Sequence, residues 1–263
     1  MVQVPISQPD SSEALRRLVA IMAQLRDPER GCEWDIAQTL ATIAPYTIEE
    51  AYEVADAIQR NDVSDIKNEL GDLALQVVFQ AQIAVEAGLF TLSDVLNGIC
   101  DKLERRHPHL FGEGKHGAHY SWEEIKARER ATQADKSALA GVALALPALE
   151  RAAKLQRRAA HIGFDWPDAS GARAKVVEEL QELDEAPPAT REEELGDLLF
   201  AVVNLARLLE IEPEEALRKA SRKFERRFRA IETAPDFSGL SLNEKEALWA
   251  AVKATENASS FRG

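Results

Sequence analysis

The sequence predicts an all-α protein made of two tandem helical units. Three observations lead there. Ala, Leu, Glu and Arg dominate while aromatic residues make up only 6%, a mix that favours helix over strand. Apolar residues recur at helical spacing, and no alternating strand pattern rises above noise. The chain also repeats itself, with motifs of the first half returning in the same order in the second.

The first helix is expected to start near Ser11 or Ser12 and to run through LRRLVAIMAQLR, where Leu15, Leu18, Val19 and Met22 share a face. Asp27-Pro28 and Gly31 break it. A loop, GCEWDIAQTLATIAPYT, follows. Thr47 then reads as an N-cap for TIEEAYEVADAIQR, with Glu50 as its capping-box partner. Asn61-Asp62 makes a turn. The next helix spans about Val63 to Ala87 and stops at Gly88. It is apolar on more than one face, which predicts a central position or a subunit contact. Another helix runs from Leu92 to Arg106 and ends at His107-Pro108. The Gly- and His-rich stretch 107–120 reads as a loop, and a helix is expected from Ser121. The weakly patterned segment 133–147 is the candidate linker, giving units 1–135 and 136–263.

The repeat rests on five matches. Glu69-Leu-Gly-Asp72-Leu faces Glu194-Leu-Gly-Asp197-Leu, and the match continues through Val77-Val78 and Val202-Val203. Glu49-Glu50-Ala-Tyr-Glu53 faces Glu178-Glu179-Leu-Gln-Glu182. Gly31-Cys-Glu-Trp34 faces Gly163-Phe-Asp-Trp166. Lys102-Leu-Glu-Arg105-Arg106 faces Lys223-Phe-Glu-Arg226-Arg227, and Trp122 faces Trp249. Many matched positions are charged, which a plain core does not require.

The acidic matches carry chemistry. On a helix, the three glutamates of EExxE fall within an arc of about 100°. Those of ExxD are about 60° apart, again on one face. In each half a turn lies between the two motifs, so an antiparallel hairpin sets them level. Such a cluster raises its own pKa values or recruits a cation. All-oxygen ligands select a hard ion, and Mg²⁺ suits a site that also takes phosphate. Gly71 and Gly196, inside their helices, are expected to permit close helix approach beside the metals. Lys223 and Arg227 share a face with Arg226 beside them, suited either to phosphate or to neighbouring glutamates. Trp122 and Trp249 suit core packing before base stacking.

Bulk properties exclude other classes. A net charge of −13 repels nucleic-acid polymers. No apolar run is long enough for a membrane span. Two distant cysteines, Cys32 and Cys100, fit a reducing compartment rather than a disulfide scaffold. The expectation is a soluble, cytoplasmic protein. The histidines 107, 109, 116 and 119 match no standard zinc spacing. No P-loop, GxGxxG or Ser-His-Asp order is present.

EExxE, a gap, ExxD and then a K-x-x-R-R helix resemble the MazG-type nucleoside triphosphate pyrophosphohydrolases. RDPERGCEWD, TIAPYTIEEAYEV, ELGDL, DKLERRHPHLF and KFERRF together resemble the two-domain form, from about Leu18 to Lys253. The resemblance implies helical bundles that form a homodimer, with Mg²⁺ on the carboxylates. It implies hydrolysis of NTP or dNTP to the monophosphate and pyrophosphate, in house-cleaning or regulation of nucleotide pools, mainly at the second repeat. Glu179, Glu182, Glu194 and Asp197 then correspond to metal ligands, and in a metal-assisted hydrolysis Glu178, outside that set, is the candidate proton acceptor. Lys175, Glu178, Glu179, Arg191, Lys223, Arg226, Arg227 and Trp249 correspond to nucleotide contacts. In the first repeat Glu50, Glu53, Glu69 and Asp72 match the metal positions. One departure stands out: only 11 residues separate Glu182 from Glu194, against 15 between Glu53 and Glu69. Two rival readings remain, a narrow dUTP-like pyrophosphatase and a non-catalytic nucleotide-binding regulator.

Overall fold

The structure, a computed structural model, describes residues 10–111 and 135–260. The chain divides into two compact units, Met1–Ile125 and Lys126–Gly263. Among the described residues every regular element is a helix, as the composition and periodicity predict.

In the first unit, α1 (Ser11–Leu25) begins where the Asp10 carboxylate accepts from the Ser12 N–H. The chain then turns tightly at Gly31, where a Cβ would meet the Asp27 carbonyl oxygen at 2.6 Å. The segment expected to be a loop instead holds α2 (Glu33–Ala37) and the start of α3 (Leu40–Arg60). The N-cap of α3 is Thr39, in a reciprocal capping box with Thr42, and not Thr47. Pro45 lies inside the helix. Thr47 sits two turns in, and its hydroxyl accepts from Gln80 Nε2 at 2.8 Å.

Asn61 adopts the left-handed conformation at φ 55°, and the Asp62 carboxylate accepts from the N–H groups of Ser64 and Asp65. This two-residue turn folds α4 (Val63–Glu86) back along α3 as an antiparallel hairpin. Gly88 follows at φ 68°. Met22, Ile43, Val78, Phe79 and Ile83 form the buried core between α1, α3 and α4. Arg26 ties it together. Its guanidinium donates to Glu86 at 2.6 Å, to the backbone carbonyls of Asp35 and Gln38, and lies 5.5 Å from the Phe79 ring centre. α5 (Leu92–Arg106) ends at His107, and α6 (Pro108–Phe111) takes up the start of the expected 107–120 loop. The remainder of that loop, with His116, His119 and the predicted helix from Ser121 including Trp122, lies outside the described residues.

In the second unit, residues 138–146 form turns, and Ala140 and Val142 are buried. Part of the candidate linker therefore packs as core. α7 (Ala148–Ala160) follows Pro147. α8 (Ala169–Glu185) and α9 (Arg191–Leu208) form the second hairpin, and α7 packs on α9. α10 (Pro213–Glu232) and α11 (Leu242–Ser260) complete the unit. No described helix is long and apolar enough to cross a membrane.

Candidate active site

The second hairpin is held at its entry by two local devices. Asp168 caps α8 by accepting from the Ser170 N–H at 2.7 Å. Trp166 packs on the helix at Gly171, where a Cβ would come within 2.7 Å of the Trp166 Cγ. Only glycine lets the indole settle there.

Along the hairpin, Glu179 and Glu182 of α8 meet Glu194 of α9, each offering a carboxylate oxygen within 4.8 Å of the others. Glu179 is 5% exposed. Its Oε1 receives Lys175 Nζ at 2.7 Å, and the same ammonium donates to Glu178 Oε1 at 2.7 Å. These two carboxylates hold the Lys175 pKa well above the ordinary lysine range, Glu178 most strongly. Glu179 Oε2 is buried with no hydrogen-bond partner. A buried carboxylate oxygen without a donor is costly. Burial and then the charge of Glu179 raise the Glu182 pKa. An acidic set with one unsatisfied buried oxygen fits a hard divalent cation.

Asp197, one turn beyond Glu194, is not in the tightest triad but shares a cavity wall with Glu179 and Lys175. That cavity measures about 750 Å³, within the usual range for small-molecule sites. Much of its remaining wall is apolar, including Leu139, Phe164, Trp166 and Phe200. Arg207 also lines it. Asp165 receives two hydrogen bonds from Arg207, at 2.9 and 2.5 Å, and Arg207 holds the Asp165 pKa below the usual carboxylate range.

The first hairpin carries a parallel cluster, with Glu50, Glu69 and Asp72 offering oxygens within 4.8 Å of one another. Glu53 is outside this tightest set, yet its charge, after burial, helps raise the Glu69 pKa. Burial, Asp72 and Glu53 raise the Glu50 pKa. The position of Lys175 is taken here by Tyr46.

The basic residues fall elsewhere. Arg226 and Arg227 of α10 both bind Glu256 of α11, each at 2.7 Å. Arg227 lies 5.8 Å from the Trp249 ring centre, and Phe224 packs on the same indole at 5.3 Å. Lys223 is exposed. Lys223, Arg226, Arg227 and Trp249 do not line the cavity. Arg191, at the start of α9, donates to the Ala186 carbonyl across the turn at 3.2 Å. Among the described residues a Cβ at Gly71 or Gly196 would meet nothing within 4 Å, so the expected close helix approach is not seen at either glycine.

Sequence reasoning missed the cavity wall. Trp166 entered only as a repeat match, and Gln156 and Asn204 went unremarked. The available signal was Asn204, a polar residue inside the apolar run LLFAVVNLARLL.

Paired acidic helices, one pair beside a cavity of small-molecule size, define an all-α protein whose clustered carboxylates could hold a metal ion. Comparison with known proteins places it more closely. A family model described as the MazG nucleotide pyrophosphohydrolase domain matches residues 38–111 and 170–231. The chain is 51% identical over 255 residues to a nucleoside triphosphate pyrophosphohydrolase of Escherichia coli K12, covering 91% of this chain and 97% of that one. It is 49% identical over 228 residues to the nucleoside triphosphate pyrophosphohydrolase/pyrophosphatase MazG of Thermotoga maritima, covering 86% and 89%. A Mycobacterium tuberculosis nucleoside triphosphate pyrophosphohydrolase is 37% identical over 60% of this chain and 49% of its own. The chain belongs to the MazG nucleotide pyrophosphohydrolase family.

Proposed function

We propose that this chain hydrolyses nucleoside triphosphates, ribo or deoxy, to the monophosphate and pyrophosphate in its second unit. The observation that carries the reading is Glu179, buried with an unpartnered oxygen among acidic neighbours beside a nucleotide-sized cavity. The names of the relatives agree with it.

Glu179, Glu182, Glu194 and Asp197 are the groups that would hold Mg²⁺. The bound metal would supply Lewis-acid stabilisation of phosphate charge and a water of lowered pKa. Lys175 stays protonated and offsets negative charge beside Glu179. Glu178, outside the triad and half exposed, is assigned as the proton acceptor. The apolar wall excludes water from the nucleoside. In the first unit Glu50, Glu53, Glu69 and Asp72 form the corresponding cation set.

Lys223, Arg226, Arg227 and Trp249 are assigned to the nucleotide, with Arg191 near the hairpin tip. They lie off the cavity of their own chain, and we assign them to a site completed in a homodimer. Leu195, Leu199 and Val202 form an exposed apolar row along α9, spaced as a helix contact requires. The setting is cytoplasmic, in control of nucleotide pools.

The test is pyrophosphate release across all NTPs and dNTPs with and without Mg²⁺, on wild type and Glu179→Gln. The reading expects Mg²⁺-dependent release that the substitution abolishes. Wild type that binds nucleotide yet forms no pyrophosphate would sink it. Light scattering in solution checks the dimer.

A further inference from the structure

Two neutral amides stand in the cavity wall apart from the carboxylates, and the fold fixes which end of each is offered. Gln156 of α7 is 7% exposed. Its Nε2 donates to the Phe200 carbonyl at 2.8 Å. The Oε1 is buried and has no partner. The amide cannot be flipped, because that would set two acceptors against each other. Gln156 thus lines the cavity while its acceptor stays unpaired.

Asn204 of α9 has the opposite polarity. Its Oδ1 accepts from Arg207 Nε at 2.9 Å and Nη2 at 2.6 Å. Arginine only donates, so the oxygen end is settled. Arg207 is itself anchored by Asp165. The Asn204 NH₂ is left as the group available to a ligand.

We infer that Gln156 and Asn204 read the edge of the nucleobase, accepting from a base N–H and donating to a base O or N, while Asp165 and Arg207 position Asn204. The proposal rests on the nucleotide reading of this cavity and adds the residues that recognise the base. The ligand chemistry follows from the wall. A planar heteroaromatic ring lies between aromatic and aliphatic side chains, and its edge carries a donor and an acceptor. The buried acceptor of Gln156 makes the recognition selective, since a ring lacking a donor would leave it unpaired. The first unit supports this by contrast. It keeps the acidic cluster but has Phe79 at the register of Asn204 and Gln82 at that of Arg207, and Phe79 is core.

The experiment compares calorimetric affinity of the full chain for a non-hydrolysable nucleoside triphosphate and for ribose 5′-triphosphate, which lacks the base. Gln156→Met, which keeps the volume and removes both amide groups, is expected to weaken the nucleotide about tenfold and leave ribose 5′-triphosphate unchanged. Asn204→Ala, a less buried site, is expected to do the same, and thermal melting separates loss of fold from loss of recognition. Unchanged nucleotide affinity in both variants, with melting intact, overturns the proposal. So does equal weakening of the two ligands. The pyrophosphate assay fails separately, since these affinities are read without turnover.

Discussion

Phe79 and Asn204 stand at the same register, each ten residues past the glutamate that opens its ELGD motif, and they do opposite things. Phe79 is 2% exposed, packed in the core and under the Arg26 guanidinium. Asn204 is turned by Arg207 and lines a cavity of about 750 Å³. One hairpin has closed its apolar space with a ring. The other has kept it open beside its acids.

This contrast makes a two-sided prediction. Asn204→Phe should fill the cavity and weaken nucleotide binding on the order of a hundredfold or more, since a preformed pocket is lost. Phe79→Asn should create no second site. It should instead destabilise the first unit by about 3–5 kcal/mol, the cost of deleting a buried ring. Calorimetry of nucleotide binding and urea denaturation check the two halves.

Gly171 gives a second prediction. A methyl there collides with the Trp166 ring, and that ring is part of the cavity wall. Gly171→Ala favours the helix intrinsically by about 1 kcal/mol. It should nevertheless displace the indole and raise KM for nucleoside triphosphates several-fold, with a smaller effect on kcat. A lowered or unchanged KM would show that Trp166 does not shape the site.

Much of the fold was legible because its signals are local. α1 starts at Ser11, and Asn61-Asp62, Gly88 and His107 end helices, where the sequence places them. The start of α3 was not legible. Pro45 and the Thr-rich run look like breakers, yet the capping box of Thr39 and Thr42 and the burial of Ile43 outweigh the proline. The acidic residues were legible because helix geometry forces EExxE and ExxD onto single faces. The cavity was not. It depends on tertiary facts, a tryptophan lying on Gly171 and an arginine orienting Asn204, that no spacing rule encodes. Gly71 and Gly196 were misread for the same reason, since their open surroundings are set by packing.

The Arg26–Glu86 pair sets an acid-stability prediction. Hydrogen bonding to Arg26 lowers the Glu86 pKa from 4.5. A depressed folded pKa gives stability that is present above about 4.5 and lost as the pH falls through the lower folded value. Glu86→Gln should cost about 1–2 kcal/mol at pH 7, scaled down for partial exposure. It should cost less at pH 3. Urea denaturation at both pH values measures the difference, and an equal cost at each would contradict the assignment.

The last prediction concerns protons and the cation. The Glu182 pKa is raised by burial and by Glu179, so in the metal-free protein this carboxyl holds its proton to a higher pH than an ordinary glutamate does. A raised acid pKa favours the fold at low pH, and that advantage fades as the pH rises and the repelled charge forms. A divalent cation reverses the balance because it binds the ionised form. Mg²⁺ should therefore raise Tm more at pH 7.5 than at pH 5 and release protons on binding. Its affinity should fall by up to about tenfold per pH unit below the raised value if one carboxyl governs binding. Glu182→Gln should raise Tm of the metal-free protein at neutral pH while removing most of the Mg²⁺ effect. Proton release measured in buffers of different ionisation enthalpy decides it, and proton release that does not grow as the pH falls would show that Glu182 is not among the groups that meet the ion.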